Sequence, residues 1–140
     1  MLKRIFFGGE SGLSFAGNAG ITLLRIFAGS SLALAHGFGK IPVSNDFIEN
    51  TAKLGFPMPV VFAWAAALSE FLGGAFLALG LFTRVSGFFV AFTMAVAAFG
   101  AHLSDPYGKK ELALFYLVTG LFFMLKGAGD WSLDAFLRRK

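Results

Sequence analysis

Apolar residues run along this chain in four long blocks, each broken by very few charges. The first, Asn18–Phe38, is interrupted by Arg25 and His36. The second, Met58–Phe82, carries Glu70 as its one charge, and the third, Val85–Leu103, has His102 at its end. The fourth, Leu112–Leu125, lies between Glu111 and Lys126. A helix that crosses a bilayer needs about 20 mainly apolar residues, within a range of roughly 17–25. Three blocks reach that length unaided. The fourth reaches it by starting near Glu111 and running through Lys126 and Gly127, with the Lys126 ammonium snorkelling to the interface. The pattern predicts an all-α protein with spans at about 18–38, 58–82, 85–103 and 111–127.

The connections are brief. Gly39–Pro57 is the longest, Thr83-Arg84 is a tight turn, and Ser104–Lys110 contains Pro106 and Gly108. Short links make consecutive helices antiparallel neighbours, so the expected architecture is an integral membrane four-helix up-down bundle over 18–126. Ahead of it, residues 1–17 read as a cytoplasmic leader. Lys3 and Arg4 before Ile5-Phe6-Phe7 look like the start of a signal peptide, but Gly8-Gly9-Glu10 cut the apolar run too early. Residues 127–140 read as a basic cytoplasmic tail ending in Arg138-Arg139-Lys140, with the pattern of one or two amphipathic turns over 132–137.

Composition excludes a soluble globule. Of 140 residues, 56% are hydrophobic and only 14% are charged, against about 25% charged in ordinary soluble domains. The 19 Phe suit a lipid-facing surface and the 18 Gly suit close helix contacts. With no Cys the chain forms no disulfide, no thiolate metal site and no thiol relay of its own. The net charge of +4 reads as topology, not nucleic-acid binding. Lys3, Arg4, Arg84, Lys126, Arg138, Arg139 and Lys140 fall on one side, and Lys40, Lys53, Lys109 and Lys110 on the other. The richer side is expected to be cytoplasmic, which places both termini there and the protein in the cytoplasmic membrane.

Candidate chemistry lies in the ionisable residues at membrane depth. A charge at the centre of a span costs roughly 2.5–3.5 kcal/mol on the insertion scale, so such residues face the bundle interior and find partners. Arg25, Gly29, His36 and Lys40 share one stripe of the first helix. Counted from His36 and from Met58, Arg25 and Glu70 come out about 16 and 18 Å deep at 1.5 Å per residue. An Arg25–Glu70 ion pair inside the bundle is therefore expected. His36, Lys40, His102 and Glu111 are expected to form a polar cluster at the outer mouth, with Tyr107 and Tyr116 near it, and Lys40 read alone is a snorkelling anchor. The two His and Glu111 sit on three helices with no ligand spacing, so no metal site is assigned.

The ordered set Arg25, His36-Gly37, Lys40, Leu54-Gly55-Phe56-Pro57, Glu70 with Gly73-Gly74, Leu79-Gly80-Leu81-Phe82-Thr83-Arg84, His102 and Glu111 resembles the DoxX family, from about Gly20 to Asp134. The resemblance implies a small four-helix membrane protein of bacteria or archaea. It also implies similarity to subunits of a membrane thiosulfate:quinone oxidoreductase or to membrane complexes of the oxidative-stress response, and it carries over no catalytic residues.

Two functions remain open on these grounds. One is a quinone-linked redox subunit, with quinone as cofactor, Arg25–Glu70 at depth and the His residues moving protons. The other is a non-enzymatic scaffold or assembly partner for a redox or stress-response enzyme, in which the ion pair only holds the fold. Transport of a small molecule also fits buried charges, although four short helices enclose a small pore unless the protein oligomerises. The expected partners are membrane lipid, quinone, a soluble redox protein and further copies of the chain.

Overall fold

The computed structural model describes residues 8, 9 and 11–139; Lys3, Arg4 and Glu10 of the expected leader, and Lys140, lie outside them. Four long helices form the bundle: α1 (Phe15–Lys40), α3 (Pro59–Leu79), α4 (Thr83–Ala101) and α5 (Tyr107–Lys126). Two short helices join them, α2 (Asn45–Lys53) between α1 and α3, and α6 (Leu133–Arg139) in the tail. No strand occurs among the described residues. By length and composition α1, α3 and α4 are each able to cross a membrane, and α5 has 20 residues. Phe27, Phe88, Phe92 and Phe99 lie open on the outer surface, where lipid tails solvate them. The molecule is a helical membrane bundle.

Helix α2 lies within what the sequence pattern reads as a plain connection. Its signals are local: the Ser44 hydroxyl accepts from Phe47 N–H at 3.2 Å, Asp46 sits in the first turn and Lys53 in the last. Both charges suit the helix dipole.

Two seams of the bundle are closed by glycine. A Cβ on Gly29 would lie 2.5 Å from Ala78 N and 2.6 Å from the Gly74 carbonyl, and one on Gly74 would lie 2.8 Å from Ala33 N and from the Gly29 carbonyl. Helices α4 and α5 repeat the arrangement. A Cβ on Gly87 would meet the Gly120 carbonyl and Met124 N at 2.7 Å, and one on Gly120 would meet Ala91 N and the Gly87 carbonyl at 2.8 Å. In lipid there is no hydrophobic drive between helices, so backbone approach at small residues supplies the contact. The bundle thus holds two antiparallel pairs, α1–α3 and α4–α5, crossed in the same way.

The tail closes the terminal end of the bundle. Helix α4 begins after Phe82, whose own side chain gives no cap. Asp134 of α6 supplies one instead, its Oδ1 accepting from Phe82 N–H at 2.8 Å and its Oδ2 from Thr83 N–H at 2.9 Å. Asp134 N–H donates in turn to the Gly80 carbonyl at 2.8 Å. Nearby, Asp130 Oδ2 accepts from Gly12 N–H, Leu13 N–H and Asn18 Nδ2, each at 3.1 Å. The Asn18 amide is the main reason the Asp130 carboxyl is held below the ordinary carboxylate value. The amphipathic turn expected at 132–137 forms within α6: Leu133, Phe136 and Leu137 are exposed on one face, and Asp134 and Ala135 are buried on the other as a clasp against the bundle. Asp134→Ala leaves two helix N-terminal N–H groups without acceptors and is expected to cost about 1–3 kcal/mol. The readouts are detergent unfolding and trypsin cleavage at Arg138 and Arg139. An unmoved transition and an unchanged cleavage rate would show that the clasp contributes nothing.

Candidate functional site

The expected Arg25–Glu70 pair does not form. Arg25 lies at the terminal end, with Nη2 donating to the Trp131 carbonyl at 2.9 Å. Its guanidinium fills the space that a Cβ on Gly80 would need, and it is attracted by Asp134. Glu70 lies beside Gly37, because a Cβ on Gly37 would strike the backbone of Glu70 and Phe71. From Arg25 to the level of Gly37 is about 18 Å of helix at 1.5 Å per residue. The depth count fails because it takes His36 and Met58 as level ends. Helix α1 stops at Lys40, well short of the start of α3 at Pro59, and α2 packs in the space left beyond it.

Glu70 pairs with Lys40 instead. Nζ of Lys40 lies 2.6 Å from Oε1 and 2.5 Å from Oε2. The Glu70 side chain is 4% exposed and that of Lys40 is 36% exposed. Lys40 thus turns inward across α3 instead of acting only as an anchor, and its ammonium also sits 5.5 Å from the centroid of the Phe47 ring on α2. An apolar stem with a charged tip can do this because the two parts are solvated separately. Glu70 is buried enough that its charge needs a partner.

The remaining outer-mouth residues divide. His36, Lys40, His102 and Tyr116 line one polar cavity of about 160 Å³, together with Glu70 and Lys109. The His36 and Tyr116 rings meet edge to face, with centroids 5.8 Å apart. Glu111 stands exposed on α5 and does not line that cavity. The partner of His102 is Asp105, with Nδ1 2.8 Å from Oδ2. That contact is the main reason the Asp105 carboxyl is held below its ordinary value. No group of three or more metal-ligating side chains converges among the described residues. Sequence reasoning missed the clasp around Asp134, because a cap supplied from a distant helix leaves no local pattern.

Lys40, Glu70 and His102 also line a second cavity of about 300 Å³, between α2, α3 and α4. Its walls include Phe47, Phe56, Phe62, Phe89 and Phe92, with the hydroxyls of Thr51 and Thr93 among them. The ion pair therefore stands between an aromatic chamber and a polar mouth. Three π-helical turns gather at this level: Leu32–Gly37 in α1, Ser69–Gly73 in α3 and Ala97–Ala101 in α4. They contain His36 and Glu70 and immediately precede His102. Each inserts a residue into a helix and turns the side chains beyond it, a device concentrated at functional sites.

The sequence profile of the DoxX family matches residues 20–103. The chain belongs to the DoxX family. Among DoxX-like relatives, the inner membrane protein YphA of Escherichia coli (strain K12) is 33% identical over 107 residues, covering 70% of this chain and 76% of YphA. The inner membrane protein YqjF of the same organism is 28% identical over 130 residues, covering 88% of this chain and 95% of YqjF. A protein of Bacillus subtilis (strain 168) named "Putative oxidoreductase CatD" is 29% identical over 119 residues, covering 84% of this chain and 87% of its own length. No solved structure matches the chain. This DoxX chain is thus a membrane protein by kinship as well as by composition, and the matched residues include Lys40, Glu70 and His102.

Proposed function

We propose that this DoxX protein is a quinone-linked redox subunit of the cytoplasmic membrane that holds a quinone against the Lys40–Glu70 pair. The observation that carries the reading is the position of that pair. It forms the polar pole of an aromatic chamber of about 300 Å³, and the polar cavity of His36, His102 and Tyr116 lies on its other side. The donor set fits a quinone ring: Lys40 Nζ can donate to a carbonyl oxygen, aromatic side chains can flank the ring, and Glu70 and His102 can take up or release a proton. When bound, the quinone would supply two-electron, two-proton chemistry. This chain's own residues position the ring and pass protons between it and the mouth. With no Cys in the chain, a partner redox protein is the proposed source of electrons. The oxidoreductase in a relative's name agrees with this reading. The basic side, with Arg84, Lys126 and the tail, is proposed to face the cytoplasm, so the mouth faces outward.

The test is mass spectrometry and organic extraction of protein isolated in native lipid, together with quinone reduction in membranes. Wild type is expected to carry quinone, and Glu70→Gln is expected to lose at least about tenfold in quinone affinity, about 1.4 kcal/mol, while remaining folded. Wild-type protein that neither retains quinone nor alters its turnover would leave the scaffold reading in its place, with Lys40–Glu70 holding the helices and nothing more.

A further inference from the structure

The three seams between consecutive long helices are not alike. The α1–α3 and α4–α5 seams are shut by glycine backbone contacts. The α3–α4 seam has none: a Cβ on Gly73 would meet only the tip of Val90, at 3.2 Å, and then nothing nearer than the Ser86 carbonyl at 3.9 Å. Large side chains, Phe76, Phe82 and Phe89, hold these two helices apart around a groove of about 440 Å³. The groove opens on the lipid-facing surface, where Leu72 and Phe89 are 41% and 52% exposed. The buried Ser69 Oγ lines it and makes no hydrogen bond among the described residues. Ala65 and Phe89 line both this groove and the aromatic chamber at Lys40–Glu70.

We propose that the α3–α4 groove is the exit for the isoprenoid tail of a membrane quinone whose ring sits at Lys40–Glu70. This rests on the quinone reading and narrows it to long-tailed lipid quinones that enter sideways from the bilayer. The groove runs from Ala65 to Phe76 on α3, about 16 Å at the helical rise. Its length leads from the charged pair toward the terminal end, so the tail stays in hydrocarbon while the ring reaches the ion pair. Little affinity comes from moving the tail into the groove, because lipid already solvates it. What the groove provides is room, and blocking it excludes a tailed ring without touching the ring's own contacts.

The experiment measures binding to protein in nanodiscs of two probes, a decyl-tailed benzoquinone and the same ring with a methyl group in place of the tail. Two variants block the groove, Leu72→Trp on its lipid-open side and Ser69→Leu in its floor, and neither residue lines the chamber. Each is expected to weaken the decyl probe at least about tenfold and to leave the methyl probe within about twofold. Equal loss of both probes, or no loss of either, would overturn the tail assignment while the ring site stands. Failure of wild type to bind even the methyl probe would remove the ring site and the tail exit together. Leu72→Trp sits where the side chain is already open to lipid, so its result does not depend on whether Ser69→Leu folds.

Discussion

Lys40→Met is expected to destabilise the bundle by about 3 kcal/mol, the low end of what breaking a buried ion pair costs. The low end applies because Lys40 is the more exposed partner, at 36% against 4% for Glu70. The loss arises from the buried carboxylate left behind, which has the aromatic chamber on one side and, among the described residues, no second salt-bridge partner. The double variant Lys40→Met/Glu70→Leu is therefore expected to regain most of the stability, because removing both charges also removes both desolvation costs. Quinone affinity is not expected to return with it, since both polar groups of the pole are then gone. Unfolding in a denaturing detergent and quinone binding, measured on the same three proteins, separate these outcomes. A single variant as stable as wild type would mean that water reaches Glu70 freely. The pair would then not be the partition between chamber and mouth.

Gly29→Leu is expected to be at least as damaging. Its first side-chain carbon would lie 2.5 Å from Ala78 N and 2.6 Å from the Gly74 carbonyl, and both obstacles are backbone. No rotamer relieves such a clash, so α1 and α3 must separate along the seam, which loses the packing at Gly74 and Ala33 as well. Overpacking of this kind costs about 1–3 kcal/mol, and more where the backbone has to move. Gly120→Leu is expected to do the same to the α4–α5 seam. Gly20→Ala is the control: nothing lies within 4 Å of its Cβ, and the change is expected to stabilise α1 slightly, by less than about 1 kcal/mol. Comparable midpoints for Gly29→Leu and Gly20→Ala in thermal unfolding would show that the seam is not held by backbone approach.

A charged residue in a membrane helix announces that it has a partner without saying which one. Burying an unpaired charge in hydrocarbon is expensive whatever the fold, so Arg25 and Glu70 were recognisable as residues that must be satisfied, whereas Lys40 read as a snorkelling anchor with no need of a buried partner. The choice between Arg25 and Lys40 for Glu70 depends on where α1 ends relative to α3. That in turn depends on which small-residue faces meet and in what register, and on the space taken up by α2.

The helical class, the membrane location, the blocks that become long helices and the small-residue faces follow from the sequence itself, because hydrophobic transfer and helix periodicity act locally along the chain. The family kinship rests on sequence as well. Only the tertiary structure decided that Lys40 faces Glu70, that Arg25 binds the Trp131 carbonyl, that Asp134 caps α4 from the tail, and that one seam of three stays open. Each of these joins residues distant in sequence through register and packing, and no local pattern encodes the distance between them.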